Sequence, residues 1–411
     1  MTDVRRIAYE ALLLAEDGKS IPTLSKDVLD KYSYLSKTDR SFIKRLIEGT
    51  IERRITLDHV LDLYSKVPSR KMKKQIRTLL RMGTYQLLYM DTVTDFAAVD
   101  ETVKIAKKTG FYNLSGFVNG VLRSISSNRD DIKMPDPDKE PVRYLCVKYS
   151  CPEWIVEKLI SEQGRENAET ILGLSVSIRP VTARINTSRA SVEEAKKLCP
   201  GKASDVYDKA IVLDDYDNIT SIRAFSEGLI CIQDISSMIA VSIAGIKQSD
   251  TVLDLCAAPG GKSLAAADLA TDGIVYSFDV SEDKIEKIRE NIKRCRFTNI
   301  ETAVADATVF DEDRAESADV VIADVPCSGL GVMGRKNDIK YNVTKESIDE
   351  LVILQRKILI NAAKYVKPGG VLLFCTCTCS VAENEDNVKF IIDESAPVIL
   401  LDVLIGSHER I

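Results

Sequence analysis

From about residue 226 onward the sequence alternates short apolar runs with longer charged, helix-forming stretches, and no other feature restricts the fold so tightly. Strands are expected near 252–255, 274–278, 301–304, 319–323 and 371–376, with helices at 263–270, 282–295 and 346–365. That rhythm requires a parallel, doubly wound sheet covered by crossover helices. Such sheets take their ligands beyond the carboxyl ends of the strands. The residues on which the strands end are therefore the ones to read for chemistry.

The first strand runs into Asp254-Leu255-Cys256-Ala257-Ala258-Pro259-Gly260-Gly261-Lys262 and then a helix. A strand, a Gly-rich turn and a helix let backbone approach a ligand closely. The turn fits neither G-x-G-x-x-G nor G-x-x-x-x-G-K-[ST], so a tight turn without a ligand stays open on spacing alone. The second strand ends on Asp279, where a carboxylate can take ribose hydroxyls, and the third on Val304-Ala305-Asp306, where one can accept an adenine amine. Either Asp could equally cap a helix. Both after a Gly-rich first turn favour an adenosine ligand. The fourth strand ends in Ala323-Asp324-Val325-Pro326-Cys327-Ser328-Gly329 and the fifth in Cys375-Thr376-Cys377-Thr378-Cys379-Ser380. A period of two predicts that Cys375, Cys377 and Cys379 share one face, and spacing does not choose among them. A reactive thiol needs thiolate character, whereas a buried one is a small apolar side chain. Two cysteine loops on neighbouring strand ends suggest covalent chemistry on an electrophilic ring.

The rest of the chain is of another kind. At 411 residues it exceeds one typical domain. Residues 1–125 read as helices only: 3–16, 37–54, 56–64, 71–90, 95–108 and 114–127. Residues 126–144, with Pro135, Pro137 and Pro141, read as a linker, and 145–225 as a small α+β module. Net charge is −6, but residues 1–130 carry 23 Lys and Arg against 16 Asp and Glu. The run Arg70, Lys71, Lys73, Lys74, Arg77 and Arg81 is either a solvated helix face or a phosphate-binding stripe. The sequence shows no apolar run of membrane-spanning length and opens without a signal peptide, so a cytoplasmic protein is expected. Ten cysteines spread through a chain of this kind are expected to be reduced. With two histidines, His59 and His408, and no C-x-x-C pair, neither a Ser-His-Asp triad nor a zinc ribbon is expected, and no metal is assigned.

The motifs D-L-C-A-A-P-G-G-K, D-V-P-C-S-G and T-C-T-C-S-V-A-E-N-E together resemble those of the RNA cytosine-5 methyltransferases with two active-site cysteines. The helical front resembles the domain of the antitermination factor NusB, through L-R-M-G-T-Y-Q-L-L-Y-M at 80–90, A-A-V-D-E at 97–101 and F-V-N-G-V-L-R at 117–123. The combination resembles the methyltransferases of small-subunit ribosomal RNA. The resemblance implies an all-α NusB-like RNA-binding domain over 1–125, the linker, the α+β module, and a Rossmann-like methyltransferase domain over 226–411. It implies S-adenosylmethionine as cofactor, lying against Cys256, Ala257, Ala258, Pro259, Gly260, Gly261 and Lys262, with Asp279 on the ribose, Asp306 near the adenine and Asp324 between the methionine end and the target cytosine. It implies Cys377 as the nucleophile toward C6, because Glu383 and Asn384 stand six and seven residues beyond it, and Cys327 as the thiol that assists product release. Small-subunit ribosomal RNA is the implied partner of a monomeric enzyme, held by the basic front and by Arg335, Lys336 and Lys340. The alternatives are a tRNA or another ribosomal site, or a NusB-like RNA-binding protein without activity. Members of the family end in a hairpin that this sequence does not show, so one or two edge strands are expected to be absent.

Overall fold

The computed structural model describes residues 3–394 except 178, 217 and 337, and it falls into two compact units, Met1–Ile178 with Leu330–Val343 and Arg179–Gly329 with Thr344–Ile411.

The first unit is helical: Val4–Glu16, Ile21–Lys31, Lys37–Glu52, Arg54–Tyr64, Lys74–Tyr89, Asp95–Lys108, Ser115–Ser127, Pro141–Tyr149 and Glu153–Ser175. Asp3, Ser36 and Thr94 start their helices by accepting backbone N–H groups three residues on, a cap worth about 1 kcal/mol each. The apolar stripes Ile43, Leu46, Ile47 and Ile76, Leu79, Leu80, set at helical spacing, are buried in one core. Each such side chain contributes about 1.5–3 kcal/mol. Gly49 is required there, since a Cβ would lie 2.0 Å from the Tyr85 hydroxyl. The sequence reading missed Ile21–Lys31, because Pro22 resembles a turn signal; it stands instead in the first helical turn, where a missing N–H costs nothing. The helix Glu153–Ser175 is broken at Gly164, whose φ is +78°.

Much of the basic run is neutralised within this unit. Arg81 is buried and forks onto Asp58 at 2.5 and 2.6 Å and Glu16 at 2.5 Å, while Arg77 reaches Glu16 at 2.9 Å and Lys74 reaches Asp17 at 2.5 Å. Arg70, Lys71 and Lys73 are exposed.

Residues 330–343 complete the helical unit although they lie far along the chain. The Arg54 guanidinium stacks 3.9 Å from the Tyr341 ring centroid, the Tyr341 hydroxyl meets the Glu52 and Ser150 carbonyls at 3.2 Å each, and the Lys340 ammonium donates to Glu52 O at 2.9 Å.

The second unit holds two sheets. Strands β1 (Thr182–Ile185), β2 (Gly201–Ala203), β3 (Ala210–Leu213) and β4 (Ile230–Ile232) form an antiparallel sheet in the order β2-β3-β1-β4. The sequence reading missed β2, a three-residue edge strand exposed throughout and without apolar alternation. Strands β5 (Thr251–Asp254), β6 (Ile274–Asp279), β7 (Ile300–Val304), β8 (Ala318–Asp324) and β9 (Val366–Cys375) form the expected parallel sheet, ordered β7-β6-β5-β8-β9. Val252, Leu253 and Val320 to Ile322 are buried, as central strands covered on both faces require. The chain first winds from β5 to β7 and then reverses to β8, which places the topological switch between β5 and β8. The edge strands expected to be absent would follow Glu394, and residues 395–411 lie outside the described residues. Among the described residues no helix is long and apolar enough to cross a membrane.

Candidate active site

The turn after β5 is held by its neighbours. Ala257 N donates to Phe278 O at 2.8 Å, Ala258 N to the Asp279 carboxylate at 3.0 Å, and Gly260 N to Ala257 O at 2.6 Å. The Asn291 amide donates to Pro259 O at 3.0 Å. Gly260 has φ +102°, and a Cβ there would press on Ile288 at 3.3 Å. Gly261 then begins the helix Gly261–Ala267. Cys256 lies half-buried in the turn, and burial, with the Asp254, Asp279 and Asp324 charges, pushes its thiol up to about 12. It is a packing thiol rather than a nucleophile.

Asp279 ends β6 buried, with its oxygens turned to Ala258 N, to Val280 N at 2.8 Å and to the Lys284 ammonium at 2.8 Å. Asp306, past β7, is exposed and accepts from the Thr308 hydroxyl at 2.7 Å and backbone at 2.9 Å, which hold its carboxyl below the usual range. Val280, Val304 and Val309 stand exposed at these same strand ends. The sequence reading gave them no role; the available signal was Val280 directly after Asp279 and Val304 two residues before Asp306. Asp254 is wholly buried. Ser263 donates to its Oδ2 at 2.6 Å, while Oδ1 has no hydrogen-bond partner. Burial, helped by the charge of Asp324 and opposed by the Ser263 hydroxyl, pushes its pKa up to about 7. A turn that ends on two glycines, a carboxylate for two hydroxyls, an exposed apolar rim and an unsatisfied acid fit an adenosine that carries a positive charge.

On the other side of the switch, the Lys262 ammonium donates to Asp324 Oδ2 at 2.6 Å. Burial is the largest single influence and lowers this lysine, but the charge and hydrogen bond of Asp324 together with the neighbouring acidic groups outweigh it and hold the pKa above the ordinary value. Cys327 and Cys377 come together from two loops, their sulfurs 3.1 Å apart, and Cys377 N donates to Cys327 Sγ at 3.2 Å. The hydrogen bond with Cys377, with burial, holds the proton on Cys327 and raises its pKa. Cys377 is the exposed member of the pair.

The shared face predicted for Cys375, Cys377 and Cys379 is not found. Pairing stops at Asp324 and Cys375. Beyond it the Asn384 side chain takes the Thr376 hydroxyl at 2.5 Å and the Thr378 carbonyl at 3.1 Å, which pulls the backbone out of the ladder and ends its period of two. Cys375 is half-buried near Lys262 and Asp324, and desolvation pushes its thiol up to about 12. Cys379 is half-buried. Lys340 also departs from expectation. It is buried, and burial pushes its ammonium down to about 8, so it secures the segment 330–343 and is not a surface contact for RNA. Arg335 and Lys336 are exposed. Among the described residues no group of three or more His, Cys, Asp or Glu side chains could hold a metal ion.

Known proteins resemble the chain along nearly its whole length. Residues 242–409 match the model of the 16S rRNA methyltransferase RsmB/F family, and residues 2–127 that of the NusB family. The chain is 35% identical over 400 residues to a probable ribosomal RNA small subunit methyltransferase B of Bacillus subtilis, covering 96% of this chain and 89% of that protein. It is 29% identical to the ribosomal RNA small subunit methyltransferase B of Cronobacter sakazakii, over 94% of this chain and 89% of the other. Among solved structures, that of PH0851 aligns with a TM-score of 0.76 at 25% identity, over 96% of this chain and 89% of that one.

Proposed function

The chain belongs to the family of ribosomal RNA small subunit methyltransferase B, S-adenosylmethionine-dependent enzymes that methylate C5 of cytosine in ribosomal RNA, and from that premise we propose that it works through a covalent bond between Cys377 and C6 of the target base. The pair of sulfurs 3.1 Å apart beside Asp324 carries this reading. We propose cytosine 967 of 16S rRNA as the target, with tRNA or another ribosomal site as the alternative.

S-adenosylmethionine supplies the methyl group as an electrophile. Gly260 and Gly261 would admit it closely, Asp279 would take the ribose hydroxyls and Asp306 the adenine amine, with Val280 and Val304 offering apolar surface nearby. Lys262 fixes Asp324 through one oxygen and leaves the other for the amino group of the cytosine. The Cys377 thiolate adds to C6, and the electrons of the C5–C6 double bond make C5 nucleophilic. After methylation a base removes the C5 proton, the double bond returns, and the sulfur leaves with the electrons of its bond to C6. Cys327 serves that last step. Once Cys377 is bonded to carbon it no longer accepts a hydrogen bond from Cys327, whose thiol then gives its proton to solvent, and the resulting thiolate accepts the C5 proton. A stacked, paired base is out of reach, so the cytosine is unpaired or flipped.

We assign residues 1–125 to RNA binding, 126–144 to a linker, 145–225 to an accessory RNA-binding module and 226–411 to methyl transfer, in a monomeric cytoplasmic enzyme that needs no metal. The test is a denaturing gel of RNA-bound variants. Cys377→Ala is expected to lose both methylation and adduct, Cys327→Ala to methylate once and accumulate a denaturation-resistant complex, and Cys379→Ala to behave as wild type. Adduct in Cys377→Ala and none in Cys327→Ala would exchange the roles and overturn the assignment.

A further inference from the structure

We infer that Glu383 and Asn384 are positioning residues that hold the two cysteine loops at reacting distance, an inference that rests on Cys327 and Cys377 being the reacting pair. Glu383 is completely buried. Its Oε1 accepts from Ser328 N at 2.8 Å and the Gln355 amide at 3.1 Å, and its Oε2 from the Ser328 hydroxyl at 2.5 Å and the Thr378 hydroxyl at 3.1 Å. An ionised carboxylate only accepts, at about four lone-pair sites, and here four donors meet them. A buried charge so fully bonded is stable, and each bond to it exceeds the strength of a neutral one. Three of the four donors come from the residue after Cys327 and the residue after Cys377, whose hydroxyl oxygens lie 2.8 Å apart. One carboxylate thus ties both loops.

Two further bonds make the clamp rigid. Gln355 also donates to Pro326 O at 2.9 Å, and Asn387 fixes its amide through Oε1 at 2.7 Å, so the long helix Lys345–Tyr365 grips the Cys327 loop from its other side. Asn384 brackets Cys377 itself, binding Thr376 on one side and Thr378 on the other. The distance between the sulfurs follows from these contacts, and a displacement of about 1 Å can cost on the order of a hundredfold in rate.

The chemistry of the donors separates positioning from charge. Ser328 N and the Gln355 amide only donate, but the two hydroxyls can turn and accept. In Glu383→Gln the new carbonyl would serve the two N–H groups and the new amide would donate to the hydroxyls, so the clamp survives without its charge. In Glu383→Ala all four donors lose their partner. Two readouts are needed: kcat and KM for methyl transfer, and capture of the thiol pair by phenylarsine oxide, which bridges two adjacent thiols with loss of water, mapped by mass spectrometry to the Cys327 and Cys377 peptides. Glu383→Ala is expected to lose kcat by about a hundredfold, with little change in KM, and to lose the bridge. Glu383→Gln is expected to keep both. Should Glu383→Ala fail to fold, the double variant Ser328→Ala, Thr378→Val, which removes the Oε2 donors alone, is expected to shift both readouts in the same direction. Full activity and bridging in Glu383→Ala, or in the double variant where it stands in, overturns the inference; so does a Glu383→Gln variant as impaired as Glu383→Ala, which would assign the role to the charge. Methylation surviving in Cys377→Ala refutes instead the underlying assignment of the nucleophile, while arsenical bridging still scores the clamp.

Discussion

Replacing Asp254 by Asn should stabilise the protein at neutral pH and flatten its stability profile between about pH 4 and pH 7. The carboxyl is wholly buried, with one oxygen bonded to Ser263 and the other to nothing, and its pKa stands at about 7 against an ordinary 3.8. A folded-state pKa above the unfolded one means that the native state binds the proton more tightly. The resulting stability is complete below about pH 4 and is lost as pH rises toward 7. At ~1.4 kcal/mol per pH unit, the wild type gives up about 4 kcal/mol at this residue across the window. Asparagine never ionises, and its carbonyl can keep the Ser263 bond. Its amide would occupy the position that lacks a partner, a cost of about 1–3 kcal/mol. A net gain of about 1–3 kcal/mol at pH 8 remains. Urea unfolding from pH 5 to pH 8.5, read by hydrogen exchange at the amides of Thr251–Asp254, measures it. Other carboxylates titrate in both proteins, so the difference between the curves isolates Asp254. Parallel curves would refute the reasoning, because they would show a carboxyl that keeps its charge when folded.

Asp279→Ala should weaken S-adenosylmethionine binding by about 1–3 kcal/mol, read by calorimetric titration; unchanged affinity would remove the ribose from this carboxylate. Arg81→Met should destabilise the helical unit by about 3 kcal/mol, near the lower end for breaking a buried ion network, since Arg77 still serves Glu16. An unchanged urea midpoint would show that Asp58 and Glu16 are satisfied by water.

The parallel sheet was legible because its strands are covered on both faces and so appear as uninterrupted apolar runs. Val320 to Ile322 could hardly be anything else. The strand ends were legible too, since Asp279 and Asp324 follow directly from that assignment. Two kinds of information were hidden. Short elements without apolar alternation, such as Gly201–Ala203, carry no periodic signal. Side-chain contacts between segments distant in sequence have no local trace. The period of two across Cys375, Cys377 and Cys379 presumed a strand that Asn384 terminates from outside it. Lys340 looked like surface charge until its carbonyl partner at Glu52, 288 residues earlier, was in view. Glu383 entered the sequence reading only as a marker of spacing, because nothing in its neighbours announces four donors converging on it.

The membership of residues 330–343 in the helical unit also bears on how the chain is made. Translation delivers Met1–Ile178 first, and roughly 150 further residues must be added before the segment that covers Glu52, Arg54 and Ser150 leaves the ribosome. At about 5–20 residues per second that is an interval of roughly ten to thirty seconds. Until then the Glu52 carbonyl lacks both its lysine and its tyrosine partner, and the Arg54 guanidinium has no Tyr341 ring beneath it. The amino-terminal helices are thus synthesised first but finished late, and the segment that finishes them begins three residues after Cys327, so the last step in assembling the helical unit is tied to synthesis of the Cys327 loop.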